Sequence, residues 1–330
     1  MRILITGARG FVASHLREAL LRVCGDAVEL IATDRQAGPH PVFGDVVALD
    51  VTDESSVAAA FERLAPTHVI HLAGVAAPSA ANADPGAAWR VHLWGAINVG
   101  RAIVSRVPEC WLLHVGSGLA YGLSARSGHA LDEETVLAPV DDYAASKASA
   151  DLALGAMANR GLKCIRLRPF NHVGPGQTEA FVIPAFAAQI ARIEAGLVPP
   201  LMRVGNLDAD RDFLDVRDVT RAYALAVLRT SSIESGAIFN IASGVPRRIA
   251  DVLELLLAQS RVKISVEPDP ARLRTTDLPR IVGNSDRARE QLGWSPVHSF
   301  EEVVYDVLED WRARTANSQL VPRWAARRRV

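Results

Sequence analysis

Ile3-Leu-Ile-Thr-Gly-Ala-Arg-Gly-Phe-Val-Ala13 runs from an apolar strand through a tight turn into a helix. Gly7 permits the turn, and Gly10 lets the backbone come close to a pyrophosphate at the positive end of the helix. The third small position is Ala13, which still allows the helix to pack closely on the strand. A glycine-rich turn carries little weight alone, but this one lies in the strand–turn–helix context that dinucleotide binding requires. Gly7, Arg9, Gly10, Phe11 and Val12 are therefore the expected cofactor contacts of the turn.

Outward from that turn, apolar runs recur at Val28–Thr33, Val46–Leu49, His68–Leu72, Trp111–Val115 and Cys164–Leu167. Ala-rich amphipathic stretches lie between them, near Phe11–Val23, Ser55–Leu64, Ala87–Ser105 and Tyr143–Asn159. Alternation of this kind, with near-continuously apolar strands, predicts an α/β fold with a Rossmann-type doubly wound parallel sheet. After about Leu167 the alternation stops. Loops at Arg168–Gln177 and Leu197–Arg211 are followed by helical patterns near Phe181–Ala195, Val216–Leu228, Ile249–Gln259 and Phe300–Ala313. The expected division is a dinucleotide-binding domain at 1–167 with return segments near 212–242. A smaller substrate-binding α/β domain takes 168–211 and 243–315, and an aperiodic basic tail takes 316–330.

Asp34 ends the second strand, where a carboxylate accepts hydrogen bonds from an adenosine ribose and repels a 2′-phosphate. That favours NAD(H). Arg35 beside it and Arg9 in the turn could hold a 2′-phosphate instead, which keeps NADP(H) open. Asp50 and Val51, after the third strand, are placed to meet the adenine.

The chain is 49% apolar and 22% charged, with a net charge of −1. That composition is globular, and it supplies no global field to draw in nucleic acid or an anionic membrane. An anionic substrate must then be held by local Arg residues, whose planar fork suits bidentate phosphate contacts. Cys24, Cys110 and Cys164 are scattered, which argues against a disulfide framework and a zinc site. The first residues lack the order of a secretory signal, and no apolar run nears the roughly 20 residues of a membrane span. A cytoplasmic location is expected, with no metal.

Tyr143 and Lys147 stand out because the sequence has only three Lys. Four residues apart on a helix, they share one face. A phenol with a pKa of about 10 is a poor acid or base at neutrality, and a nearby cation is expected to lower it.

These segments together resemble the extended short-chain dehydrogenase/reductase superfamily, in its nucleotide-sugar branch. The residues that carry the resemblance are Gly7–Ala13, His71-Leu-Ala-Gly74, Gly116-Ser-Gly-Leu-Ala-Tyr-Gly122 and Tyr143 with Lys147. Arg168-Pro-Phe-Asn-His-Val-Gly-Pro-Gly-Gln177, Arg211-Asp-Phe-Leu-Asp-Val-Arg-Asp218 and Leu292-Gly-Trp-Ser-Pro296 extend it to about Arg314. The resemblance implies Ser117, Tyr143 and Lys147 as the catalytic set, with Leu72, Ala73 and Gly74 against the cofactor. It implies nucleotide-sugar contacts from Arg211 and Arg274, a diphosphate ligand in Asn171 and a nucleoside ribose contact from Asp277. His172 is expected to shape the sugar pocket through a loop hydrogen bond. His92 stands where the superfamily usually has an Asn that supports the active-site helix. A homodimer through the Ala87–Ser105 and Tyr143–Asn159 helices is also implied.

Sugar-nucleotide dehydratases of that branch carry acidic residues just after the Ser. Here those positions are Gly118 and Leu119, which cannot act as acid or base. The acidic stretch Asp132-Glu-Glu134 resembles a solvated segment leading to the active-site helix. Hydride transfer remains, and the resemblance implies reduction of the C4 keto group of a GDP-linked 4-keto-6-deoxyhexose. A C4 epimerase with tightly held NAD is the alternative, and a redox-sensing binder a more distant one.

Overall fold

The computed structural model describes residues 1–25, 27–273 and 278–320, the side chains of the last three excepted. From the N-terminus, β1 (Arg2–Thr6), α1 (Phe11–Cys24), β2 (Glu29–Asp34), β3 (Gly38–His40), β4 (Gly44–Ala48), α2 (Glu54–Leu64) and β5 (His68–His71) follow in order. Next come α3 (Pro78–Ala83), α4 (Pro85–Trp89), α5 (Gly95–Arg106), β6 (Trp111–Val115), α6 (Asp142–Ala158) and β7 (Cys164–Pro169). The remainder holds β8 (Asn171–Val173), α7 (Val182–Glu194), β9 (Leu201–Val204), β10 (Asp210–Asp215), α8 (Val216–Leu228) and β11 (Ile238–Ile241). It closes with β12 (Pro246–Arg248), α9 (Ile249–Ala258), β13 (Ser265–Pro268), β14 (Arg280–Ile281) and α10 (Phe300–Leu320).

The main sheet has the order β11-β7-β6-β5-β1-β2-β4-β3. All its pairings are parallel except β3 with β4. This is the doubly wound α/β class expected from the sequence. Its apolar strands need cover on both faces. On one face, Leu16 and Leu20 of α1 pack with Val219 and Tyr223 of α8 over Ile3, Ile5 and Ile70. On the other, Phe61 of α2, Val99 and Ile103 of α5 and Leu154 of α6 pack over Leu4, Val69 and Leu112. A separate core joins α7, α9 and α10 with β9 and β10. Strand order reverses between β1 and β5, so the crevice beyond their C-terminal ends is where a ligand binds in such a sheet.

Several expectations need correction. The stretch Ala87–Ser105 is helical throughout, as expected, but a π-helical turn at Arg90–Trp94 interrupts the α-helical pattern between α4 and α5. The segments read as loops at Arg168–Gln177 and Leu197–Arg211 contain β8 and β9, which pair with β10 and β13. Such short strands, half covered, lack the long apolar runs that betrayed the main sheet. The last helix, α10, runs past Ala313 to Leu320, so the start of the expected tail is helical. Residues 321–330 of that tail lie outside the described residues. No described helix is long and apolar enough to cross a membrane.

Candidate active site

A cleft of about 750 Å³ runs from the C-terminal ends of β1 and β2 to the small domain. Gly7, Gly10, Phe11 and Val12 line its first end. Gly7 has a φ of +70°, and a Cβ there would stand 2.8 Å from the Ala73 nitrogen. The turn therefore lies directly on the loop after β5, whose Leu72, Ala73 and Gly74 also line the cleft. Gly10 caps α1 with no side-chain hydrogen bond, and the first turn of α1 holds no acidic residue. First-turn amides left in this way, at the positive end of a helix, fit a pyrophosphate.

Asp34, Arg35, Asp50 and Val51 line the same end. The Asp34 carboxylate accepts the Arg9 and Arg35 backbone N–H groups at 3.2 and 2.8 Å. Asp50 accepts from the Thr52 amide and hydroxyl. Arg9 is placed differently from the expectation. Its guanidinium donates to the carbonyls of Gln36, Gly38 and Pro39 at 3.2–3.3 Å and is absent from the cleft lining. Arg9 thus ties the turn to the segment after β2, while Arg35 keeps an exposed guanidinium at the cleft. Arg35→Ala should raise KM for NADPH about tenfold, the scale of one charge-assisted hydrogen bond, and leave KM for NADH nearly unchanged. Steady-state kinetics with both cofactors checks this.

At the middle of the cleft, Tyr143 and Lys147 lie one turn apart on α6, and both are buried. The N-terminus of α6 is fixed by Asp141, which caps the Ala144 amide, and by Asn82, whose side-chain carbonyl accepts the Tyr143 N–H. Burial pushes the Tyr143 phenol above its ordinary value, its hydrogen bond with Ser117 opposes the rise, and the Asp141 charge adds to it. Lys147 was expected to lower that phenol. Instead its ammonium donates to the Val115 carbonyl at 3.0 Å, and burial lowers its own pKa to about 8. A phenol held protonated is suited to donate a proton rather than to take one. Ser117 starts the turn after β6 and accepts the Leu119 N–H at 3.2 Å.

A side chain at position 118 would require the Phe170 ring to shift. A Cβ on Gly118 would lie 2.9–3.0 Å from the Phe170 ring. The acidic stretch nearby is not solvated throughout, as the sequence suggested. Glu133 is buried and accepts the Asn240 N–H at 2.7 Å.

His92 lies on the π-helical turn and is 1% exposed. Its Nε2 accepts the Val75 N–H at 3.0 Å, which places the ring proton on Nδ1. Nδ1 then donates to the Ser146 hydroxyl at 2.8 Å, and that hydroxyl donates to the Tyr143 carbonyl at 2.9 Å. The ring also stands edge-on to Tyr143 at 5.6 Å. His92 thereby joins the loop after β5 to α6. A Cβ on Gly74 would come within 3.1 Å of the His92 ring and 3.5 Å of the Lys147 ammonium.

His71 and His114 stack 5.8 Å apart at the ends of β5 and β6. Burial is the first cause of depressed pKa values for His68 (about 4), His71 (about 3), His92 (about 3) and His114 (well below 6.5). Each value is lower folded than unfolded, so the stability these rings contribute is complete above about pH 6.5. It falls as the pH drops through the window between 6.5 and the folded values. Each ring removes up to about 1.4 kcal/mol per pH unit there. Urea midpoints from pH 7 to pH 4 should show this steep acid loss, and Lys147 exerts the same sign of effect on three of the rings.

Toward the small domain, Asn171, His172 and Arg211 line the cleft. His172 donates from Nδ1 to the Phe170 carbonyl at 3.0 Å, which is a loop hydrogen bond, and burial lowers its pKa. Arg211 donates to the carbonyls of Asp210 and Leu278, both at 2.8 Å. Arg274 and Asp277 lie outside the described residues. Sequence reading missed Gln177, Glu179, Arg203 and Arg272, which also line this end. Only the exposed place of Arg203 in the alternation of β9 offered a signal.

A model of the NAD dependent epimerase/dehydratase family matches residues 3–242. The chain belongs to that family. It is 35% identical over 314 residues to the GDP-6-deoxy-D-mannose reductase of Pseudomonas aeruginosa, covering 95% of this chain and 98% of the relative. Among solved structures it is similar to RMD from Pseudomonas aeruginosa complexed with NADPH, with 32% identity and a TM-score of 0.82 over 95% of this chain and 99% of that one. The UDP-glucose 4-epimerase of Thermus thermophilus, complexed with NAD, is 30% identical with a TM-score of 0.81 over 94% and 99%. This family member is an NAD(P)-dependent oxidoreductase of the nucleotide-sugar reductase and epimerase type.

Proposed function

We propose that this enzyme reduces the C4 keto group of GDP-4-keto-6-deoxy-D-mannose, giving GDP-D-rhamnose. The observation that carries the reading is Tyr143, buried at the middle of the cleft with Ser117 and Lys147 and raised by burial above its ordinary pKa, beside Gly118, which packs on the Phe170 ring and offers no acid or base. The site can give a proton to an alkoxide but has no group there for elimination. When bound, the reduced nicotinamide supplies the hydride. Tyr143 gives its proton to the oxygen at C4, and Ser117 orients that oxygen with a second hydrogen bond. Lys147 holds the nicotinamide ribose.

The turn at Gly7, Gly10, Phe11 and Val12 holds the cofactor pyrophosphate. Asp34 and Arg35 meet the adenosine ribose, with Arg9 bracing the turn. Asp50 and Val51 meet the adenine, and Leu72, Ala73 and Gly74 pass along the cofactor. Asn171 and Arg211 take the substrate diphosphate, and His172 shapes the sugar pocket; Arg274 as a further nucleotide-sugar contact and Asp277 as a ribose contact rest on the sequence resemblance alone. The 35% identity to a GDP-6-deoxy-D-mannose reductase supports GDP as the nucleotide. We place the enzyme in the cytoplasm as a homodimer through the stretches Ala87–Ser105 and Tyr143–Asn159, where Trp94 and Leu152 are 51% and 60% exposed. Sedimentation at twice the chain mass checks the dimer.

The deciding experiment mixes the purified protein with GDP-4-keto-6-deoxy-mannose and NADH or NADPH. Stoichiometric loss of reduced-nicotinamide absorbance is expected. No net consumption, with NAD carried through purification, would replace this reading with a C4 epimerase.

A further inference from the structure

The segment 174–179 brings Gln177 and Glu179 into the cleft and is gripped from three helices. From α1, His15 donates through Nε2 to the Pro175 carbonyl at 2.8 Å. From α7, Arg192 holds both Glu179 oxygens at 2.7 and 2.9 Å. From α10, Asp310 accepts the Gly176 N–H at 3.0 Å. Arg314 donates to the Gln177 carbonyl at 3.2 Å and pairs with Asp310 at 2.8 Å. Trp311 links the two arms, with the Arg314 and Arg192 guanidinia 4.9 and 5.8 Å from its ring. Asp310 and Arg314 do not themselves line the cleft.

We propose that Asp310 and Arg314 are positioning residues that fix the 174–179 loop from α10 and so set the affinity for the nucleotide sugar. The proposal rests on the nucleotide-sugar reading of the cleft. A loop ordered before binding loses less conformational freedom when the substrate arrives. Gly176, with a φ of +97°, turns the chain where Asp310 captures its amide. The neighbouring carbonyl of Gln177 then faces Arg314, so one ion pair holds two consecutive backbone groups.

The test is Arg314→Ala, with Arg314→Lys and Asp310→Asn beside it. KM for GDP-4-keto-6-deoxy-mannose should rise about tenfold, the scale of a lost hydrogen bond to a charged group, with kcat and KM for NADPH within about twofold. Backbone amides of 174–181 should exchange faster, while those of 7–13 do not change. Arg314→Lys should recover part of the affinity, because an ammonium can reach the same carbonyl and carboxylate. A lower melting temperature with unchanged KM and unchanged exchange would reduce the pair to a structural contact and overturn the proposal. GDP alone serves as the second probe. If wild-type protein fails to bind GDP, the GDP reading of the substrate falls, and exchange at 174–181 in Arg314→Ala still decides for or against the clamp.

Discussion

Tyr143→Phe is expected to lower kcat by about 10²–10⁴, the range for losing a general acid, and to leave cofactor affinity within about twofold. The ring is buried against Ala81, Ala88 and Val75, and Phe fills the same volume, so the fold should be retained. What disappears is the phenolic proton at the middle of the cleft, where Ser117 and Lys147 also lie. Lys147 cannot substitute, because its ammonium is directed to the Val115 carbonyl. The comparison to make is single-turnover reduction by wild type and variant at saturating NADPH, with NADPH binding measured separately. Normal turnover in the variant would remove Tyr143 from the chemistry. Equal loss of binding and turnover would instead assign it to holding the cofactor.

Gly7→Ala is expected to abolish cofactor binding at working concentrations and to lower stability by about 2–5 kcal/mol. That sum combines about 1–2 kcal/mol for a left-handed residue with a Cβ and about 1–3 kcal/mol for overpacking. The added Cβ would meet Ala73 N, Ala73 Cα and Leu72 C at 2.8–3.0 Å. These are backbone atoms, which cannot swing aside as a side chain can. Relief requires the loop after β5 to move, and that loop carries Gly74 against Lys147 and the Val75 amide bonded to His92. The disturbance therefore reaches α6 through the hydrogen bond from His92 to Ser146. Thermal melts with and without NADPH would show it. A variant that still gains wild-type stabilisation from NADPH would mean the turn is looser than these contacts indicate.

The two variants also separate what was legible in the sequence from what was not. The apolar runs and glycine turn specified a parallel sheet and its phosphate-binding end, because strand burial and a left-handed turn leave local signatures. Tyr143 and Lys147 were legible for the same reason: a spacing of four puts two side chains on one face of a helix. Short strands such as β8 and β9 left no such signature, since their pairing partners lie far along the chain. The guanidinium of Arg9 and the burial of Glu133 were also hidden, because each depends on carbonyls or amides supplied by distant segments.

By itself, then, the sequence determined the class of fold, the glycine turn after β1 and the shared helix face of Tyr143 and Lys147. Only the tertiary structure decided that the Tyr143 phenol is buried and raised above its ordinary value, that Gly118 packs against the Phe170 ring, and that His92 carries its proton on Nδ1. Those properties arise from desolvation, steric exclusion and hydrogen-bond direction. All three depend on which atoms the fold brings within a few ångströms, and local pattern does not encode that.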